Sequence, residues 1–304
     1  MPYINVNDAY ILDNTGKQVD DAVDYALYNS NRNLLDNAYF VGGGSQLGDG
    51  VFPINQRGQT SYSWTGATCI DRWYIFAAND TVTLSASGLT LNANENGGGF
   101  GQRIKYYPEY SQKPLLCTFL TTDDKRIVWS FTINTSISWQ GGTLVLNEIP
   151  DFYVDALYDS SSNTVAFVLA KSFDNVPHSI TLKAVKLEVG TVSTLANDPV
   201  PDFGEAMRKC KRYLRYVPLT RTPAVIGGNT AVVTLNGIEM ASVPTPALIS
   251  AGGARDAGGA QNITSATVTG FTYNTPTVQF ALAGNLNYVI GYVYDTVVCL
   301  SCEL

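Results

Sequence analysis

The sequence predicts an all-β protein: a jelly-roll β-sandwich, then a second, sandwich-like β domain, with a short N-terminal helical arm and one connecting helix. Three observations carry this expectation. From Asn33 onward, short stretches rich in β-branched and aromatic residues alternate with clusters of Gly, Asn, Ser and Asp, the texture of strands and turns. Helical periodicity surfaces in only two places. Apolar residues make up 45% of the chain while charged residues make up only 15%, against about 25% in average globular domains. At about 150 residues per domain, a chain of 304 residues has room for two cores.

Residues 1–32 read as a helical arm. Thr15 and Gln18 have capping-box spacing. Val19, Ala22, Val23, Ala26 and Leu27 then recur at helical period opposite Asp20, Asp21 and Asp24. A helix of this length is marginal alone in water, so its apolar stripe needs something to pack on. The spacing is that of a short coiled-coil seam, and the stripe would pack on the following domain or on copies of the chain.

Residues 33–198 read as the sandwich. Expected strands are 69–77, 82–91, 114–120, 126–133, 143–146, 152–158, 164–170 and 179–189. Eight to ten short strands with turn residues between them suit a jelly roll. Residues 199–217 are the connection, with a helix expected over 202–217. Asp202 caps it, and Pro201 and Pro218 bracket it. Phe203, Met207, Cys210 and Leu214 form its inward stripe. Its other face carries Arg208, Lys209, Lys211, Arg212 and Arg215, five of the nineteen basic residues. Two explanations fit that face: a patch for phosphate or an acidic partner, or a solvated face whose cations favour the helix C-terminus. The second is the simpler and is the expectation.

Residues 218–304 read as the second β domain, with strands over 230–235, 263–269, 277–282 and 288–300 and a flexible loop at SAGGARDAGG. Only Arg221, Glu239, Arg255, Asp256, Asp295 and Glu303 are charged in it. A surface this poor in charge is expected to be covered by partners, most economically copies of itself.

Composition excludes several functions. A formal charge of −7 and a pI near 4.7 argue against nucleic-acid binding. No apolar run reaches membrane-spanning length, so no membrane insertion is expected. The opening MPYINVNDAY lacks a basic and an apolar region, so no secretory signal is expected. One histidine, His178, rules out a multi-histidine metal site and sits in a turn-like NVPHS. The five cysteines, Cys69, Cys117, Cys210, Cys299 and Cys302, are expected to be structural thiols. The C-x-x-C pair 299/302 falls in a strand, where its side chains point to opposite faces.

No catalytic constellation emerges, and no enzyme is expected. The carboxylates available for glycosidase chemistry mostly sit in turns. VGGGS and ENGGGFG lack the lysine and the following helix of a phosphate loop. No cofactor or metal is assigned; loop Asp and Asn residues offer oxygen to a structural calcium, but without a ligand spacing that selects any of them. Aromatic residues in loop-like segments remain: Trp64, Tyr106, Tyr107, Tyr110 and Trp139 are the candidate carbohydrate-binding residues, because a rigid ring stacks on the apolar face of a sugar. Trp73 and Trp129, in alternating strands, are expected in the core.

NLLDNAYF at 33–40, INQRGQTSYSW at 54–64 and CIDRWYI at 69–75 resemble the opening of a phage and prophage tail-fibre family with a carbohydrate-binding-module-like jelly roll. KAVKLEVGTVST at 183–194 and PDFGEAMRKCKRYLRYV at 201–217 resemble the end of that module and the helix after it. GKQVDDAVDYAL at 16–27 is similar to the family's helical leader, and CLSCEL to its usual last strand. The resemblance implies a homotrimeric virion protein made in the bacterial cytoplasm, with residues 1–32 as its attachment and trimerisation arm and Val19, Ala22, Val23, Ala26 and Leu27 as the candidate trimer contacts. Its partners would be copies of itself, other tail or baseplate proteins, and host surface polysaccharide. It implies no catalysis, and it marks Asn33, Leu34, Asn55, Arg57, Gly58, Asp71, Arg72 and Trp73 as fold-defining. The alternatives are a purely structural baseplate, adaptor or decorating subunit, or a glycan depolymerase.

Overall fold

The computed structural model describes residues 31–41, 52–63, 68–76, 79–94, 99–105, 113–132, 139–141, 143–146, 152–159, 164–172, 177–198, 201–272 and 274–302. The strands of the first half are β1 (Ser61–Ser63), β2 (Tyr74–Ile75), β3 (Thr81–Ser85), β4 (Gly88–Ala93), β5 (Phe100–Lys105) and β6 (Pro114–Thr121). They continue with β7 (Arg126–Thr132), β8 (Trp139–Gly141), β9 (Thr143–Leu146), β10 (Phe152–Asp159), β11 (Thr164–Ser172) and β12 (His178–Val189). Helix α1 spans Phe203–Lys211. The second half holds β13 (Leu214–Leu219), β14 (Thr222–Gly227), β15 (Thr230–Thr234), β16 (Thr245–Ser250) and β17 (Gly253–Arg255). β18 (Ala260–Thr272), β19 (Thr275–Leu282), β20 (Ile290–Tyr294) and β21 (Thr296–Ser301) complete it. The protein is all-β with one described α-helix.

The first half is a sandwich of two antiparallel sheets, ordered β1-β3-β4-β12-β6-β7-β9 and β2-β5-β11-β10-β8. One apolar cluster draws on both, with Val82, Leu89, Leu91 and Leu187 from the first sheet and Phe100, Ile104 and Val165 from the second. Trp73 is fully buried and stacks flat on Phe100 at 4.3 Å, with Phe40 edge-on to both rings. Trp129 is buried too, so both core tryptophans stand where alternation placed them. The long strand β12 pairs β4 through Leu182. Beyond that point the same edge is taken by the segment before β1, through Leu34 N–H to Leu187 O and Phe40 N–H to Lys183 O.

Several expected boundaries move, each for a local reason. The single strand expected over 82–91 is a hairpin, because Ala86 and Ser87 turn the chain and Gly88 sits at φ +143. A Cβ on Gly88 would lie 2.3 Å from Leu182 O. The strand expected over 69–77 shrinks to β2 because Arg72 takes φ 77 and turns Ile70–Trp73. The helix expected over 202–217 is capped by Asp202, whose Oδ1 accepts from Glu205 N–H at 2.6 Å, but it ends at Lys211. Leu214 then begins a strand, because 214–219, with Tyr216 and Val217, pairs with β21. Likewise the strand expected over 288–300 breaks at Asp295, φ 49, into β20 and β21.

The second half closes further than a sandwich. Six strands form a barrel in the order β14-β15-β19-β18-β17-β20, with β20 pairing both β17 and β14. Closure removes the sheet edges that a charge-poor domain could not otherwise protect. Alternation fills the inside with Ala224, Ile226, Ala231, Val233, Val278, Phe280 and Val293. A three-stranded sheet, β13-β21-β16, packs Val217, Leu219, Val298 and Leu300 into the same cluster.

Buried polar contacts tie the sandwich to the connection. Asn37, at φ 52, donates to Ile54 O and Asp71 O and accepts from Ile54 N–H at 2.6 Å. Asp71, fully buried, accepts from Gln56 N–H at 2.9 Å and from Gln56 Nε2 at 2.5 Å. Gln56 Nε2 also donates to Leu214 O at 2.7 Å, where β13 begins. The Arg72 guanidinium covers the Tyr213 ring at 3.6 Å. Helix α1 adds Met207 and Cys210 to a small cluster with Phe52 and Ile54.

Asn37→Ala removes three buried hydrogen bonds, at about 1 kcal/mol each, and puts a Cβ residue lacking a local partner into the left-handed region, at about 1–2 kcal/mol. We expect a loss of about 4 kcal/mol in chemical denaturation. Asn37→Gly restores the backbone freedom alone and should recover about 1 kcal/mol of it. Equal stability of the two variants would show that the backbone conformation contributes nothing.

Candidate functional site

The barrel carries the most exposed apolar surface of the second half, and one carboxylate holds the loops that present it. Asp256 follows β17 in the segment read from sequence as a flexible loop. Its Oδ1 accepts from Gly258 N–H at 2.7 Å and Gly259 N–H at 2.8 Å. Its Oδ2 accepts from Asn287 N–H at 2.7 Å and Tyr288 N–H at 2.8 Å. A single side chain thus closes its own turn and staples it to the approach to β20. The carboxyl is buried, which by itself would raise its pKa; the backbone amides of Tyr288, Gly258, Asn287 and Gly259 more than reverse this and hold it below the ordinary 3.8.

Beyond the staple the chain exposes Tyr288 (55%), Val289 (66%) and Ile290 (81%) in succession, and Val225, in register with Ile290 on β14, is 59% exposed. Alternation along β20 puts Ile290, Tyr292 and Tyr294 on the outer face while Val293 points into the barrel. The Arg221 guanidinium lies 4.9 Å over the Tyr292 ring, and Tyr292 meets Tyr294 edge-on at 6.1 Å. β20 can sit this tightly against β17 because position 291 is glycine; a Cβ there would lie 2.3 Å from Arg255 O. The result is an apolar and aromatic stripe, edged by Arg221, on a pre-set scaffold. Chemically it offers dispersion area, ring faces and one guanidinium. It offers no nucleophile or paired carboxylate.

Of the aromatic residues singled out from sequence, Trp64, Tyr106, Tyr107 and Tyr110 lie outside the described residues. Trp139 is in the sheet-edge strand β8, in register with Leu157. The candidate trimer contacts Val19, Ala22, Val23, Ala26 and Leu27 also lie outside the described residues. All five cysteines are buried, and burial pushes the Cys117 thiol well above its usual range. Among the described residues no three of His, Cys, Asp and Glu gather as a metal site would require. No described helix is long and apolar enough to cross a membrane.

Sequence reasoning missed the stripe because Tyr288 and Ile290 were absorbed into one long strand and Asp256 into a loop. The available signal was D-A-G-G at 256–259, an acceptor followed by two glycines whose amides it can gather. Compared with known proteins, the chain matches no protein-family model and no curated protein.

The sign of the Asp256 contribution follows from its depressed pKa: it is fully present above the unfolded value and is lost as pH falls through the folded value, below 3.8. Asp256→Asn can satisfy only one pair of amides. We expect several-fold faster hydrogen exchange at Asn287 and Tyr288, or at Gly258 and Gly259, at neutral pH. The stability difference from the parent protein should shrink below pH 3.8. An unchanged exchange pattern would show that the staple does not order the loops.

Proposed function

We propose that this chain is a subunit of a bacteriophage tail fibre that recognises glycans on the host cell surface and works by binding, without catalysis. The observation that supports this best is the stripe of Tyr288, Val289, Ile290 and Val225, exposed on a charge-poor barrel and held in one geometry by Asp256. A surface ordered before contact loses less entropy on binding, and Tyr288, Tyr292 and Arg221 have the ring faces and donors that sugars use. In this reading the sandwich is a carbohydrate-binding-module-like jelly roll contributing Trp64, Tyr106, Tyr107, Tyr110 and Trp139. The N-terminal arm faces the particle, and three copies convert weak single-site contacts into firm attachment.

A second reading has a specific observation behind it. Val225, Val289 and Ile290 are aliphatic, and aliphatic surface suits a protein face better than a sugar. It would make the chain a structural subunit that packs against copies of itself or against a neighbouring tail or baseplate protein.

One experiment separates the two: solution mass and binding to an array of bacterial surface glycans, for the full chain and for Tyr288→Ala/Ile290→Ser. The recognition reading expects a trimer in both proteins and glycan binding about tenfold weaker in the variant, as loss of a buried anchor produces. A variant that falls to monomer with its sugar binding intact would transfer the stripe to subunit packing. A monomeric parent protein silent on every glycan would overturn the proposal.

A further inference from the structure

Away from the stripe, positive charge converges at the junction of the two halves. Arg208 and Lys211 of α1, Arg212 at its C-cap and Arg215 of β13 line one open cavity of about 460 Å³. Phe203 and Met207 add apolar lining, and Gly237 and Glu239 supply the facing wall from the turn after β15. That wall is pinned to the helix end: Arg212 O accepts from Ala241 N–H at 2.7 Å and from Cys302 Sγ at 3.2 Å. The cavity therefore exists only when barrel, connection and helix are assembled.

A solvated helix face does not account for it. The helix C-terminus favours Arg208 and Lys211, but Arg215 belongs to a strand. Lys209, on the same helix but outside the cavity, is paired with Glu205 at 3.0 Å, whereas among the described residues none of the four lining cations is in an ion pair. Like charges gathered at one hollow repel one another, in a chain whose formal charge is −7. The larger hollow beside it, about 880 Å³, has the opposite balance, with Asp36, Asp124, Asp198, Asp202 and Glu205 against Arg32, Arg126 and Lys209.

We propose that this cavity binds an anionic saccharide, a sugar unit carrying a carboxylate or phosphate group. Three guanidiniums present planar forks that match either acid. The volume falls in the range of about 300–1,000 Å³ that holds a small ligand rather than a bare ion. Phe203 and Met207 offer area for the apolar face of a ring, and Glu239 can accept from hydroxyls. The inference deepens the host-glycan reading, on which its biological purpose rests.

The test is calorimetric titration of the full chain with digalacturonate, glucose 6-phosphate, neutral digalactose and inorganic phosphate, at low and at physiological salt. We expect the two anionic sugars to bind at both salt levels, more weakly at the higher, and the neutral sugar and inorganic phosphate to bind at least about tenfold more weakly. Whichever anionic sugar binds tighter identifies the acid. Arg208→Gln and Arg215→Gln should each weaken the anionic sugars about tenfold. Lys209→Gln should change nothing, and Glu239→Gln should strengthen binding by relieving repulsion. Equal losses in Lys209→Gln and Arg208→Gln would reduce the effect to diffuse attraction and overturn the proposal, as would inorganic phosphate binding as tightly as the sugars. Glycan-array binding that survives in Arg208→Gln but fails in Tyr288→Ala/Ile290→Ser would overturn the cavity proposal and leave the host-glycan reading standing.

Discussion

The carboxamide of Asn37 and the carboxylate of Asp71 are the constraint on which the remaining architecture depends. Both are buried: Asn37 spends its hydrogen bonds on the backbone of Ile54 and Asp71, and Asp71 accepts from both the backbone and the side chain of Gln56. Buried polar groups with fixed partners tolerate one arrangement and penalise others. This pair therefore selects how the segment carrying Ile54–Arg57 lies against the turn at Asp71–Trp73. Gln56 passes that selection on to Leu214 O, so where β13 starts is set from inside the sandwich. The indole N–H of Trp73, bonded to Asn37 O at 2.9 Å, ties the same network to the aromatic core.

Charge is divided between the two halves in a way that gives the molecule two kinds of contact. The barrel exposes aliphatic and aromatic side chains with few charges among them. The junction concentrates guanidiniums around a hollow. Contacts of the first kind hold or strengthen as salt rises, while contacts of the second kind weaken. If the stripe and the cavity both bind as proposed, the molecule would keep part of its grip across changes in ionic strength.

Much of the fold was legible because alternation and capping are local signals. The strands at Pro114–Thr121, Arg126–Thr132, Thr143–Leu146 and His178–Val189 follow the expected segments to within a residue or two, and Asp202 caps α1 as its spacing required. What failed was decided by distant partners. Leu214–Val217 has a helical pattern when read alone and becomes a strand because β21 offers it a ladder. The glycine-rich segment at 250–259 looks flexible by composition, yet contains β17 and is closed by Asp256. Barrel closure is equally non-local, since nothing within β20 announces that it pairs on both edges. The stripe and the cavity were less legible. Both are assembled from residues far apart in the chain, and Glu239 meets the helix cations only through the fold.

The position of β21 has a consequence for how the protein comes into being. This strand is the middle of the sheet β13-β21-β16, so both flanking strands are translated well before the one that joins them. During synthesis the sandwich has all its strands early, while β13 waits with an unpaired edge beside a helix already emerged. Such an edge is an invitation to the wrong neighbour. The proline at the fifth position of β13, Pro218, and Pro246 in the second position of β16 are residues that blunt an open ladder. They make the interval before β21 arrives less hazardous, which matters most for chains produced side by side at high local concentration.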